Sequence, residues 1–231
     1  IFLLKKNNLL SKIKKFFKME NIFMSLKDVG NKVPIYKLKT TDEVMKYYDE
    51  WGEQNKYNKD MVEWNYTGPK ETVEVLKKYL LKKDSIIFDA GCGTGLVGLE
   101  LKKFGYNFFH GADLSQKLLD TVPTNLYQNL IKVDLNKSLT IQDNFYDAVM
   151  CVGTFTFGHV KPQALDEFIR ITKKGGLICF TINEGIYIEY GFDKKIDLLK
   201  KENKWKELEF FKSDYIASKD VNAWLGLYEV N

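Results

Sequence analysis

Seven consecutive residues, Asp89-Ala90-Gly91-Cys92-Gly93-Thr94-Gly95, carry the densest chemical signal in the chain. Alternating glycines let a backbone turn sharply and approach a ligand with no Cβ in the way. A helix starting at Leu96 would add the unpaired N–H groups of its first turn, which suit an anionic end. Asp113 closes the next apolar stretch, where its two carboxylate oxygens can accept both hydroxyls of a ribose. This pattern admits two ligands. Gly93-Thr94-Gly95-Leu96-Val97-Gly98 also satisfies G-x-G-x-x-G, and an acid about 20 residues beyond is what a nicotinamide dinucleotide site requires. A turn with no ligand is the least favoured reading, because three alternate glycines cost folding entropy that a plain strand-to-helix turn need not incur.

Few other polar residues are placed to act on a bound molecule. His159 follows the fourth expected strand and can take a proton or orient a substrate; a loop histidine satisfied by backbone explains it equally well. His110, inside a strand, reads as structural. Glu184 and Asn183 leave the fifth strand at the same sheet edge and suit a polar or cationic acceptor, with helix capping by Asn183 as the competing account. Cys92 and Cys151 flank the same region, yet small buried thiols usually only pack. Tyr48, Trp51 and Tyr57 would form an aromatic cover whose ring faces favour positive charge. Tyr190-Gly-Phe-Asp-Lys194 matches the Y-x-x-x-K of short-chain reductases, but Gly191 weakens the helix such a pair needs, and the glycine order is not G-x-x-x-G-x-G.

The elements that must position these residues alternate. Thr40 or Thr41, followed by Asp42 and Glu43, starts a helix with Val44, Tyr47, Tyr48 and Trp51 on one face. Pro69 opens a second amphipathic helix carrying Val73, Leu76, Leu80 and Leu81. Ser85–Ala90 is a short apolar strand running straight into the glycines. Leu96–Phe104 reads as a helix, Asn107–Ala112 as a strand and Ser115–Asp120 as a short helix capped by Ser115. Tyr127–Val133 and Tyr146–Val152 are further strands; Pro162–Lys173 is a helix closed by Gly175 and Gly176, and Leu177–Ile182 is a fifth strand. Strands joined by helices imply right-handed crossovers, so the fold class is α/β: a Rossmann-like, mostly parallel sheet with helices on both faces. Trp205–Tyr215 and Ala223–Val230 are expected as an antiparallel pair at the C-terminal end.

Length and charge narrow the function classes. The 231 residues suit one sizeable core, taken as residues 41–231 behind a basic extension at 1–40. Six lysines and no acid fall within the first 18 residues, so the net +4 becomes −2 for the remainder, and Arg170 is the sole arginine. Such a body does not advertise a nucleic-acid partner. The first residue is Ile1, and Leu9, Leu10, Ile13, Phe16 and Phe17 follow helical spacing. A non-native leader with a start at Met19 or Met24 outweighs a targeting helix, since transit peptides prefer Arg and Ser to the Lys and Asn found here. Cysteines 59 and 28 residues apart fit neither a zinc knuckle nor a disulfide framework, which points to a reducing compartment, the cytoplasm or the nucleus. No apolar run reaches the roughly 18 residues needed to span a bilayer.

Taken together, these residues resemble a family. Asp89 to Gly98 resembles the first motif of class I methyltransferases, and Gly111-Ala-Asp113-Leu114-Ser115 their second. Asp134-Leu135, Tyr146-Asp147-Ala148-Val149 with Cys151-Val152-Gly153, and Lys173-Lys174-Gly175-Gly176-Leu177 are similar to the later ones, with lysine in place of a proline in the last. Tyr48-Asp49-x-Trp51-Gly52, Tyr57-Asn58-Lys59-Asp60-Met61 and Tyr66-x-Gly68-Pro69 resemble the leader of the methyltransferase-like family named for the Williams-Beuren syndrome chromosomal region. Gly153 to Val160 and Phe180 to Tyr187 do so as well. Asn58 departs from the Asp of that leader, and the stretch from Trp51 to Tyr57 is longer.

The resemblance covers about residues 47 to 230 and implies S-adenosylmethionine as methyl donor. It places the donor on the first motif, Asp89, Gly91, Cys92, Gly93 and Gly95, with Gly91 and Gly93 against the methionine tail. It puts Asp113 and Leu114 at the ribose, Asp134 and Leu135 at the adenine, Cys151 and Val152 beneath the donor and Tyr57 over it. His159 and Glu184 remain the candidates for chemistry on an acceptor, expected to be a small molecule. No Asp/Asn-Pro-Pro-Tyr follows the fourth strand, which removes the amino-group methylases of adenine and glutamine. An oxidoreductase using a nicotinamide cofactor and a donor-binding regulator without catalysis are the alternatives.

Overall fold

The computed structural model describes residues 33, 37, 38, 40–53 and 56–231. Most of the basic segment at 1–40 lies outside the described residues. Seven strands form one sheet in the order β3-β2-β1-β4-β5-β7-β6. They are β1 (Ile86–Ala90), β2 (Phe108–Asp113), β3 (Asn129–Lys132), β4 (Tyr146–Phe155), β5 (Thr172–Asn183), β6 (Trp205–Ile216) and β7 (Val221–Val230). Strands β1 to β5 are parallel, and β7 runs antiparallel between β5 and β6. The chain steps outward from β1 in both directions, so a crevice opens at the carboxyl ends of β1 and β4.

Among the described residues the α-helices are α1 (Thr41–Trp51), α2 (Lys56–Glu63), α3 (Gly68–Tyr79), α4 (Leu96–Lys103), α5 (Gln116–Leu119), α6 (Ala164–Ile171), α7 (Ile186–Glu189) and α8 (Phe192–Lys201). Alternation along the strands divides the core. Ile87 faces a cluster with Val73 and Leu76 of α3 and Leu101 of α4, while its neighbour Phe88 faces Phe168 of α6 and Phe192 and Ile196 of α8. A third cluster gathers Val33, Val44, Trp51 and Met61 against Tyr215 and Ile216, with Leu38 packed on it. Thr40 caps α1 in a reciprocal box with Glu43, satisfying first-turn N–H groups, and Ser115 accepts the Leu118 N–H at the start of α5.

Several expectations change. The sixth helix ends at Ile171, where the Thr172 hydroxyl donates to the Phe168 carbonyl at 2.6 Å. Gly175 and Gly176 therefore lie inside β5 and do not cap the helix; Gly175, at φ +72°, sits where the pairing with β4 slips between Tyr146 and Ala148. Strand β3 begins at Asn129, which leaves Tyr127 ahead of it with its side chain turned toward the glycine loop. Helix α2, and α7 and α8 within residues 186–201, form where the sequence pattern predicts no element.

Candidate functional site

At the end of β1 the Gly91 and Cys92 N–H groups both donate to the Ala112 carbonyl, at 2.8 and 2.9 Å, and fold the chain back over β2. Gly91 and Gly93 hold φ of +81° and +51°, the left-handed region. A Cβ at Gly91 would lie 2.0 Å from the Thr154 hydroxyl, whereas one at Gly93 would meet nothing within 4 Å. Gly91 thus makes room for β4, and Gly93 presents bare backbone to the cavity.

Asp113 is tied to that loop. One carboxylate oxygen accepts the Gly93 N–H at 2.8 Å and the other the Ser115 N–H at 2.9 Å. Burial pushes its carboxyl up, while the N–H groups of Ser115, Gly93 and Leu114 oppose the shift. Each oxygen keeps a further lone pair for a ligand hydroxyl. Next to it, Asp134 accepts the Asn136 N–H at 2.9 Å, and the Asn136 side-chain Oδ1 accepts the Lys161 N–H at 2.8 Å, which joins the loops after β3 and β4.

One cavity is lined by Gly91, Gly93, Asp113, Leu114, Asp134, Leu135 and Val152, and also by Tyr57 and His159. His159 is half-buried with its Nε2 shielded from solvent, and its Nδ1 donates to the Phe157 carbonyl at 2.6 Å. That bond assigns the proton to Nδ1 and leaves Nε2 as an acceptor with no hydrogen-bond partner among the described residues. Burial drives the imidazole down to about 4, so it is neutral at physiological pH.

The roof is α1 and α2. Tyr48 meets His159 edge to face at 5.3 Å, and Trp51 packs on Tyr48 and Tyr57 while donating to Asp60 at 2.6 Å. Side-chain bonds join the roof to the loops beneath. Thr94 donates to Asn58 at 2.6 Å, and Ser115 donates to Asp49 at 3.1 Å.

Several sequence candidates do not line the cavity wall. Asp89 is fully buried beneath the loop; Cys92 and Cys151 are buried, and burial pushes both thiols up. Gly95 faces Leu126 and Tyr127 at the start of α4. Glu184 does not line the cavity: it accepts the Asn222 N–H at 3.0 Å and pairs with Lys212 at 2.8 Å. Asn183 accepts the Gly185 N–H at 2.9 Å, a local turn bond. Tyr190 ends α7 and Lys194 lies in α8 across Gly191, so the Y-x-x-x-K spacing does not share a helix. Sequence reasoning missed Met45, Asn136 and Thr154, which also line the cavity. For Thr154 the signal was β4 itself, which runs three residues further than its apolar stretch suggested.

A methyltransferase domain family matches residues 88–180, from β1 to β5. Methyltransferase-like protein 27 of Homo sapiens is 30% identical over 186 residues, covering 78% of this chain and 74% of that protein. The ribosomal protein L11 methyltransferase of Thermotoga neapolitana is 27% identical over 145 residues, 59% of this chain and 53% of the relative. Among solved structures, a TehB-like S-adenosylmethionine-dependent methyltransferase of Corynebacterium glutamicum shares the fold with a TM-score of 0.51 at 18% identity, covering 71% of this chain and 88% of that one.

Proposed function

The chain belongs to the class I S-adenosylmethionine-dependent methyltransferases, in the family of human methyltransferase-like protein 27, and on that footing we propose that the crevice over β1, β2 and β4 holds the donor beside a small-molecule acceptor. The observation that carries this reading is the single cavity lined at once by the glycine loop, Asp113, the Asp134-Leu135 pair and His159. We assign the whole of residues 41–231 to this domain.

The residues fit the donor's parts. Bare backbone at Gly91 and Gly93 accommodates the methionine tail, and Asp113 has lone pairs for two ribose hydroxyls. Asp134 and Leu135 border the adenine end, with Val152 as the floor. Beneath the loop, the Asp89 Oδ1 is buried and has no hydrogen-bond partner among the described residues, which suits the donor's ammonium group. When bound, the donor supplies a methyl group made electrophilic by its sulfonium. The chain's task is then alignment and exclusion of water, which the α1–α2 roof performs. His159 Nε2 accepts the hydrogen of the acceptor's nucleophilic O–H, N–H or S–H, orienting its lone pair and taking the proton as the new bond forms.

The roof supports a small acceptor over a protein one, because a side chain of a folded protein would have to displace α1 to reach His159. Incubation of the protein and methyl-labelled donor with a cell extract, fractionated by size, tests this. Label is expected in the small-molecule fraction and lost with His159→Ala; label confined to protein would overturn the assignment.

A further inference from the structure

Tyr127 belongs to neither the cavity wall nor any recognised motif, yet the glycine loop is built around it. Its buried ring crosses Phe109 edge to face at 5.1 Å. A Cβ at Gly98 would lie 2.6 Å from its hydroxyl oxygen, and one at Gly111 would lie 3.1 Å from its ring. The third glycine of the G-x-G-x-x-G match therefore makes room for a tyrosine, and that accounts for a spacing otherwise shared with dinucleotide sites.

The hydroxyl does two things. It accepts the Gly98 N–H at 3.1 Å and donates to the Asp89 Oδ2 at 2.6 Å. Gly98 is the third residue of α4, so its N–H has no partner within the helix, and the N-cap residue Gly95 has no side chain to offer one. Tyr127 supplies that cap from another segment and passes the bond on to the end of β1. Asp89 is otherwise fixed by its strand, with Gly111 on one side and Met150 on the other.

We propose that Tyr127 is a positioning residue of the donor site, holding the Asp89 carboxylate by one oxygen so that the other faces the donor's cationic amino-acid end. This inference rests on the donor reading above. The titratable groups facing Asp89 are Tyr127, Asp113, Cys92 and Cys151. Burial pushes the Asp89 carboxyl up to about 7, the Tyr127 bond pulls it back, and the Asp113 charge adds to the rise. The Tyr127 hydroxyl is itself pushed well above the usual phenol range by burial, so it stays a donor. Without that bond, Asp89 ionises only at higher pH.

Calorimetry with S-adenosylhomocysteine, and with 5′-methylthioadenosine, which lacks the amino-acid end, provides the test across about pH 6 to about pH 8.5. Tyr127→Phe is expected to weaken S-adenosylhomocysteine by about tenfold near neutrality and by much less at the alkaline end, with 5′-methylthioadenosine changed less than about twofold. In an Asp89→Asn background the same substitution should add less than about twofold, because its effect passes through Asp89. That doubly substituted protein has no buried Asp89 charge to strand, so even where Tyr127→Phe alone fails to fold, a loss of more than about twofold between it and Asp89→Asn would show an effect that bypasses Asp89 and overturn the proposal. Equal losses for both ligands at every pH, additivity with Asp89→Asn, or no loss would each overturn the proposal. Failure of the parent protein to bind S-adenosylhomocysteine at all would remove the donor reading itself, and this inference with it.

Discussion

The floor and the roof of the cavity are held by different means. In the floor, the loop after β1 is fixed by main-chain bonds to Ala112, by the Asp113 carboxylate and by parallel strands on both sides. The roof is held by aromatic packing and by side-chain bonds such as Thr94–Asn58 and Ser115–Asp49. Main-chain bonds inside a sheet open only with the core, whereas a few partly exposed side-chain contacts open locally at small cost. The floor is thus preorganised for the donor, and the roof can part to admit it. Notably, these two bonds end on the donor loops: Thr94 lies between Gly93 and Gly95, and Ser115 follows Asp113 by two residues.

If the floor carries donor recognition, Asp113→Ala should give the largest effect. Loss of charge-assisted bonds of this kind costs about 1.5 to 3 kcal/mol, or about ten- to a hundredfold in S-adenosylmethionine affinity by calorimetry. Roof substitutions should do less. Asn58→Ala or Tyr57→Ala is expected to weaken the donor by about two- to tenfold with the melting temperature nearly unchanged; a fall in melting temperature without loss of affinity would make these contacts structural.

His159 links the two regions and gives a pH signature. Its folded value is depressed to about 4 from an ordinary value near 6.5, so its contribution to stability is present above about pH 6.5 and is lost as pH falls toward 4. His159→Asn should flatten that acid-side fall in melting temperature, and an unchanged slope would place the origin elsewhere. The smallest effect is expected at the N-terminus: deletion of residues 1–23 should leave melting temperature and donor affinity nearly as they were, and unfolding on truncation would move the domain boundary.

The floor was far more legible in the sequence than the roof. Apolar strands bounded by glycine and followed by acids announced β1, β2 and their loops, because strand burial and left-handed turns each leave a residue-type signature. The antiparallel β6–β7 end was also readable from its two apolar runs. Lys174-Gly175-Gly176 misled, since lysine followed by glycine marks a helix end and a strand bulge alike. Helices α7 and α8 were hidden by Gly191, which at φ +77° separates them. Tyr127 was read as the first residue of a strand; only its tertiary reach to Asp89 and Gly98, 38 and 29 residues away, gives it a role, and no local spacing encodes such a bond.

Hydrogen exchange with and without S-adenosylhomocysteine, in a sample where binding is confirmed, tests the central claim most directly. The floor amides of β1, β2 and β4 should be protected in both states, while amides of the glycine loop and of α1 and α2 gain protection on binding. Unchanged exchange in both the glycine loop and the roof of a ligand-bound sample would place the donor elsewhere and contradict the account.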